Sequence, residues 1–275
     1  MNAKTVLVTG ATDGIGRETA RQLAERGAAV ILHGRDPARL QASVAAVAAA
    51  VPGATLHTAL GDLSRLDEVR ALAADIVARF PRLDALIHNA GIFAQAHTRT
   101  VDGFESTLAV NHLAPFVLTH LTLGALRAAG GRVVTVSSVA HQRGELDLHD
   151  LGHEQGFSGY AAYARSKLCN VLFAAEMARR LGDAVTSNSL HPGVVSTKLL
   201  ATGFGMQGND SLAEGAATSV FLALDPSVAG QTGKYFVKCR AVTPAARARD
   251  GALAAALYDA SASLTGITPL PIPSA

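Results

Sequence analysis

The sequence predicts a doubly wound α/β fold on three observations. Short apolar runs alternate along the whole chain with segments of helical periodicity, the order expected when parallel strands are joined by covering helices. Several of those runs are apolar almost without alternation, as suits strands buried on both faces. The first run passes into the first helical segment through a turn carrying Gly10, Gly14 and Gly16, at the junction where such folds bind dinucleotides. The expectation is one Rossmann-type domain over residues 1–275, with a seven-stranded, mostly parallel sheet and helices on both faces.

Taken in order, the strand candidates are residues 5–10 (TVLVTG), 28–33 (AAVILH), 54–61 (ATLHTALG), 84–91 (DALIHNAG), 131–138 (GRVVTVSS), 184–193 (AVTSNSLHPG) and 233–237 (GKYFV). The alanine-rich stretch 38–50 is low in complexity. Asp36-Pro37 before it offers a capping side chain and a proline at the first helical position, so it reads as a helix. The cleanest amphipathic segment is 64–80. Ser64 is placed to cap it, Asp67 stands at its third position, and Leu66, Val69, Leu72, Ala73 and Ile76 line one face. No linker or internal repeat divides the chain. The glycine-rich stretch 201–210 (ATGFGMQGND) reads as a long mobile loop.

Composition narrows the function classes. Hydrophobic residues make up 49% and charged residues 17%, so the chain is globular rather than disordered. A net charge of +2 without a basic run gives no nucleic-acid footprint. No stretch of eighteen apolar residues lacks charges or breakers, so no membrane span is expected. Two cysteines, with a strand-like run opening at Lys4, suggest reduced thiols and a cytoplasmic protein.

The glycine turn lets the backbone approach a pyrophosphate, with helix-start N–H groups binding the phosphates; the alternative is an ordinary glycine-rich loop. His33 and Gly34 occupy the tip of the second strand, and Arg35 follows. A guanidinium there suits a 2′-phosphate, which favours NADP(H) over NAD(H). Asp36 could instead accept hydrogen bonds from a ribose, but it is assigned to capping the helix that starts at Pro37.

Tyr163 and Lys167 are four residues apart, on one helical face, whereas Tyr160 has Ala164 in the corresponding place. Lowering a phenol from about 10 to about 7 needs roughly 4 kcal/mol of preferential stabilisation of the phenolate. A nearby ammonium in a partly dry site, helped by an oxidised nicotinamide, is of that order. Taken alone, the pair is equally a packed tyrosine with a solvated lysine. Ser137-Ser138 at a strand's carboxyl end could polarise a carbonyl or serve as a cap. Asn111 sits inside a helical pattern that does not favour asparagine, which suggests a specific hydrogen-bonding task.

With these motifs in place, the sequence resembles the short-chain dehydrogenase/reductase family along nearly its whole length. The matching elements are TGATDGIG, GDLS, HNAG, the asparagine of VNH, VSS, YARSK and HPGVVST. Within the family it is most similar to the branch of retinol dehydrogenases, WW-domain oxidoreductases and their soluble bacterial relatives. The resemblance implies a catalytic set of Asn111, Ser138, Tyr163 and Lys167. Tyr163 would exchange the proton, Ser138 would bond the reacting oxygen, Lys167 would hold the nicotinamide ribose, and Asn111 would support a water relay. It also implies that Gly10, Thr12, Asp13, Gly14, Ile15 and Gly16 cradle the cofactor, with Arg35 at its 2′-phosphate. Asp62 would contact the adenine with Leu63 in the same site. Asn89, Ala90 and Gly91 would run beside the adenosine ribose, and Pro192, Gly193, Val195 and Thr197 would bracket the carboxamide. His88 stands where the family usually has a first asparagine, while Asn89 keeps the inner position. The branch's membrane-bound members carry an anchor before the first strand; its absence here suggests a soluble protein.

The expected function is NADP(H)-dependent hydride transfer between a nicotinamide and an apolar ketone, aldehyde or secondary alcohol. Its rivals are a non-catalytic NADP-binding sensor and an epimerase or dehydratase. Substrate walls are expected from residues 141–160 and 196–215, the latter offering Leu199, Leu200, Phe204 and Met206. His141, His149 and His153 match no tight ligand spacing and read as a solvated loop, so no metal is assigned. Cys169 reads as a small packing residue. The oligomeric state is left between monomer, homodimer and homotetramer.

Overall fold

The unbroken apolar runs of the sequence become strands covered on both faces. The computed structural model describes residues 3–273. Its first half runs β1 (Thr5–Val8), α1 (Gly14–Glu25), β2 (Ala29–Gly34), α2 (Pro37–Ala50), β3 (Leu56–Leu60), α3 (Leu66–Arg79) and β4 (Ala85–His88). There follow α4 (Ser106–Leu108), a π-helical turn (Ala109–Leu113), α5 (Ala114–Ala129), β5 (Arg132–Val136), a 3-10 turn (Val139–Arg143) and α6 (Gly159–Leu181). The chain ends with β6 (Thr186–His191), α7 (Lys198–Phe204), α8 (Leu212–Leu224), β7 (Tyr235–Val237), β8 (Arg240–Val242) and α9 (Gly251–Thr265).

The strands form one sheet in the order β3-β2-β1-β4-β5-β6-β7-β8. All neighbours are parallel except β7 and β8. The sheet thus has eight strands rather than the expected seven. β8 is three exposed residues folded back on β7 through Lys238-Cys239, both at positive φ (48° and 60°). Neither residue announces such a turn, because glycine or asparagine normally supplies that conformation.

Alternate strand residues face two separate cores. Leu7, Ile31, Leu86 and Val133 pack under α3, α5 and part of α6. Val6, Val8, Leu32, Ile87 and Val134 pack under α1 and α8 on the other face. Both faces are apolar, so no polar alternation appears in the sequence. The order reverses between β1 and β4, and a crevice opens there at the carboxyl ends of the strands.

Local signals were legible to different degrees. Asp36 caps α2, its Oδ1 accepting from the Arg39 N–H at 3.0 Å. Ser64 does not cap α3: the helix starts after Arg65, and Ser64 instead bonds Asp62. The Leu66 N–H donates to Asp102 Oδ2 at 2.9 Å, from 36 residues away, so tertiary structure supplies this cap. Residues 201–210 are not wholly a loop either, since α7 continues to Phe204 and closes on Gly205 at φ 61°. α6 is buried nearly all round, because α9 packs along it. There the Arg180 guanidinium lies 3.7 Å from the Tyr258 ring centre and bonds the buried Glu176 at 2.7 Å. Among the described residues, the continuous helical stretch Ser106–Ala129 is long and apolar enough to cross a membrane, but 83% of its most apolar window is buried inside this fold.

Candidate active site

A cavity of about 1050 Å³ occupies the crevice. Gly10, Thr12, Asp13, Gly14, Ile15 and Gly16 line one end, and Arg35, Asp62 and Leu63 its outer edge. Asn89, Ala90 and Gly91 run along the floor, while Ser138, Tyr163 and Lys167 meet at the inner end. Pro192, Gly193, Val195 and Thr197 form the opposite wall. Of the residues singled out in the sequence for catalysis or cofactor binding, Asn111 alone does not line the cavity; it lies just behind.

The glycine turn is tight for backbone reasons. Gly10 is left-handed (φ 65°), and a Cβ there would sit 2.8 Å from Ala90 Cα. A Cβ on Gly16 would fall 2.2 Å from the Gly10 carbonyl oxygen. Among the described residues, the N–H groups of Ile15 and Gly16 have no acceptor at the start of α1. Free N–H groups at a helix start fit the pyrophosphate of a dinucleotide. Asp13 caps α1 through the Gly14 N–H at 2.8 Å. Asn89 staples the floor to the turn, its Nδ2 donating to the Thr9 and Gly10 carbonyls at 2.9 and 3.2 Å.

His33 has a role that the sequence did not reveal. Its Nδ1 accepts from the Gly10 N–H at 3.2 Å, and its Nε2–H donates to the Gly61 carbonyl at 3.0 Å. Burial pulls its pKa down to about 4, so the ring stays neutral and braces the turn against the end of β3. His88 points elsewhere, bonding Thr119 Oγ1 at 2.7 Å, and so its departure from the family pattern does not reach the cavity.

At the inner end, Tyr163 is 6% exposed and packs between Phe93 and Phe204, with ring centres at 5.6 and 5.4 Å. Burial pushes the phenol up to about 12, and Ser138 beside it pulls the other way. The expected lowering of this pKa therefore does not come from the chain alone. Burial also pushes the Lys167 ammonium down to about 8. Its Nζ donates to the Val136 carbonyl at 3.1 Å and stands 5.4 Å from the Tyr163 ring centre. Ser137 ties β5 to α6, its hydroxyl donating to the Lys167 carbonyl at 2.7 Å.

Asn111 sits in the π-helical turn, and both ends of its amide are engaged. Oδ1 accepts from the Ile92 N–H at 2.8 Å. Nδ2 donates to the Ile92 carbonyl at 3.0 Å and to Ser166 Oγ at 2.9 Å, and that hydroxyl bonds the Tyr163 carbonyl at 2.7 Å. Asn111 thereby links the floor of the cavity to α6. A Cβ on Gly91 would come 3.4 Å from Lys167 Nζ and 3.5 Å from Asn111 Oδ1, ordinary contact distances that place this residue directly beside both side chains.

Two segments border this end. In the stretch after β5, His141 is buried rather than solvated, bonding the Ser138 carbonyl through Nδ1–H at 2.7 Å. The rest of the stretch is held by the buried Arg165, which bonds the Glu145 and Leu151 carbonyls at 3.0 and 3.3 Å. On the other side, Thr197 caps α7. Lys198 reaches across the crevice to Asp13 at 2.8 Å, and Gln95 Nε2 bonds the Thr202 carbonyl at 2.7 Å. Tyr160 lies at the mouth, edge-on to Phe204 at 6.0 Å.

The sequence model of the short chain dehydrogenase family matches residues 4–207. Mouse "Retinol dehydrogenase 14" is 41% identical, covering 97% of this chain and 87% of the mouse protein. A crystal structure of an uncharacterized protein from Mycobacterium paratuberculosis superposes with a TM-score of 0.81 at 35% identity, over 98% of this chain and 95% of the other. A Shigella flexneri structure, described as a short chain dehydrogenase complexed with NADP, has a TM-score of 0.72 at 27% identity, over 87% of this chain and 98% of the other.

Proposed function

This chain belongs to the short chain dehydrogenase family and is an oxidoreductase of that family, and from that premise we propose that it interconverts an apolar ketone or aldehyde and its alcohol with NADP(H). The observation that carries the proposal is the convergence of Tyr163, Ser138 and Lys167 on the cavity whose other end is the glycine turn.

A bound nicotinamide cofactor would supply the hydride in reduction and take it up in oxidation. The chain's part is position and proton. Tyr163, protonated at neutral pH by its burial, donates its phenolic proton to the carbonyl oxygen as that oxygen gains charge. The Ser138 hydroxyl bonds the same oxygen. The phenolate left behind is stabilised by the Lys167 ammonium, and in the oxidative direction it takes the alcohol proton. Phe93, Phe204 and Tyr163 keep water from the inner end.

The preference for NADP(H) is supported by the cations at the outer edge. Arg35 stands 3.9 Å from Asp62, and Arg39, in the same rim, stands 3.6 Å from Asp13. Asp36, which could have favoured a free ribose, is occupied as the cap of α2. The Shigella relative complexed with NADP points the same way. An apolar substrate is supported by the exposed Val139, Tyr160, Val194, Met206 and Leu212 around this cavity. Residues 141–160 and 196–215 would form its walls. The two thiols, Cys169 and Cys239, are free, which supports a reducing, cytoplasmic setting.

The test is loss of NADPH over a panel of apolar aldehydes and ketones. Tyr163→Phe should lower kcat by roughly 10²- to 10⁴-fold. Binding of NADPH without turnover, together with a silent Tyr163→Phe, would instead support a non-catalytic sensor.

A further inference from the structure

The peptide joining Ser138 to Val139, just beyond β5, is gripped at both ends by histidines. Its carbonyl oxygen accepts from His141 Nδ1–H at 2.7 Å and from the His141 backbone N–H at 3.1 Å. Its N–H donates to His191 Nδ1 at 3.2 Å, from the end of β6. These partners assign both ring protons. His141 Nε2 accepts from the Ala245 N–H at 3.2 Å, so its single proton is on Nδ1. His191 accepts at Nδ1, so its proton is on Nε2. Burial keeps both rings neutral, lowering His141 and pulling His191 down to about 4.

This peptide has little else to hold it. The Val139 side chain is 45% exposed and gives it no packing anchor. The Ser138 hydroxyl accepts from the Ala140 N–H at 3.2 Å, so its direction depends on how the following peptide is turned. A rotation of that plane would carry the Ala140 N–H away and swing the hydroxyl from Tyr163.

We propose that His141 and His191 are positioning residues, which lock the Ser138–Val139 peptide so that the Ser138 hydroxyl points at the reacting oxygen. The proposal rests on the assignment of Ser138 to that oxygen in the reaction above. Neither ring need exchange a proton with substrate, because each is committed to a main-chain bond in one tautomer.

The experiment uses His191→Leu and His191→Asn, each in the parent chain and in a Ser138→Ala background. His191→Leu should lower kcat about tenfold, the loss expected when one orienting hydrogen bond is removed. His191→Asn, whose Oδ1 can accept in place of Nδ1, should recover most of it. In the Ser138→Ala background, His191→Leu should have no further effect, since the group it aims is gone. Undiminished kcat in His191→Leu, or full additivity with Ser138→Ala, would overturn the proposal. Amide exchange at Val139 gives a readout independent of turnover. It should quicken in His191→Leu and stay slow in His191→Asn, and unchanged exchange in His191→Leu would refute the grip itself. If the parent chain reduces no carbonyl while Val139 exchange responds as expected, the reaction assignment fails and the grip stands. His141→Asn, which keeps a donor near the Nδ1 position, should retain activity where His141→Leu loses it. Should His141→Leu not fold, the His191 series decides.

Discussion

Replacing Lys167 by methionine measures how much of Tyr163's acidity α6 supplies. Burial puts the phenol at about 12, so half-ionisation at about pH 7 requires roughly 7 kcal/mol of help. The Lys167 ammonium lies 5.4 Å from the Tyr163 ring centre. At an effective dielectric of about 20, a unit charge at that distance stabilises phenolate by about 3 kcal/mol, or about two pK units. The remainder falls to the positive charge of an oxidised cofactor, because the pull of Ser138 is already contained in the starting value. In alcohol oxidation the phenolate is the working form, so the rate climbs as pH rises through its pKa. Loss of the ammonium raises that pKa, and the climb should move about two units toward higher pH. Lys167 is itself pushed down to about 8, so in the parent chain this help fades as pH rises past that value. Methionine fills a similar volume, and the Val136 carbonyl keeps a donor in Asn170 Nδ2 at 3.2 Å, so the fold should survive. The assay is the pH dependence of kcat for NADP⁺-driven oxidation at saturating cofactor. Superimposable profiles for the parent and Lys167→Met would refute the electrostatic role.

Arg35→Ala should raise the KM for NADPH by roughly 10- to 100-fold, the worth of a charge-assisted hydrogen bond, and leave that for NADH nearly unchanged; equal effects would reject the 2′-phosphate assignment. Arg35 is 68% exposed, so stability without cofactor should not change. Gly16→Ala places a Cβ 2.2 Å from the Gly10 carbonyl oxygen and 2.4 Å from Asn89 Nδ2. Thermal melts of that variant should lose the rise in Tm that NADPH gives the parent chain; an undiminished rise would mean that the turn does not hold the cofactor. α6 is buried nearly all round within one chain by α9 and its neighbours, which leaves it no apolar face for a second copy. Sedimentation should therefore show a monomer, and a concentration-dependent dimer would contradict this.

By itself the sequence determined what repeats locally. Strands covered on both faces favour unbroken apolar runs, as in β1, β2 and β4, and each of the seven expected segments overlaps a strand. The glycine turn was legible because backbone crowding at Gly10 and Gly16 leaves no room for a Cβ, and Tyr163 with Lys167 because four residues make one helical turn. Features that depend on partners distant in the chain were not legible. The cap of α3 comes from Asp102 rather than Ser64, and β8 exists only where Lys238-Cys239 folds it onto β7. His141 reads as a polar residue of a loop, yet the fold buries it between the Ser138 carbonyl and the Ala245 N–H. The same limit governs the chemistry. Helical spacing placed a lysine near a tyrosine, but the packing of Phe93 and Phe204 from two other segments sets the phenol's acidity, because the cost of ionising a group depends on everything that excludes water from it.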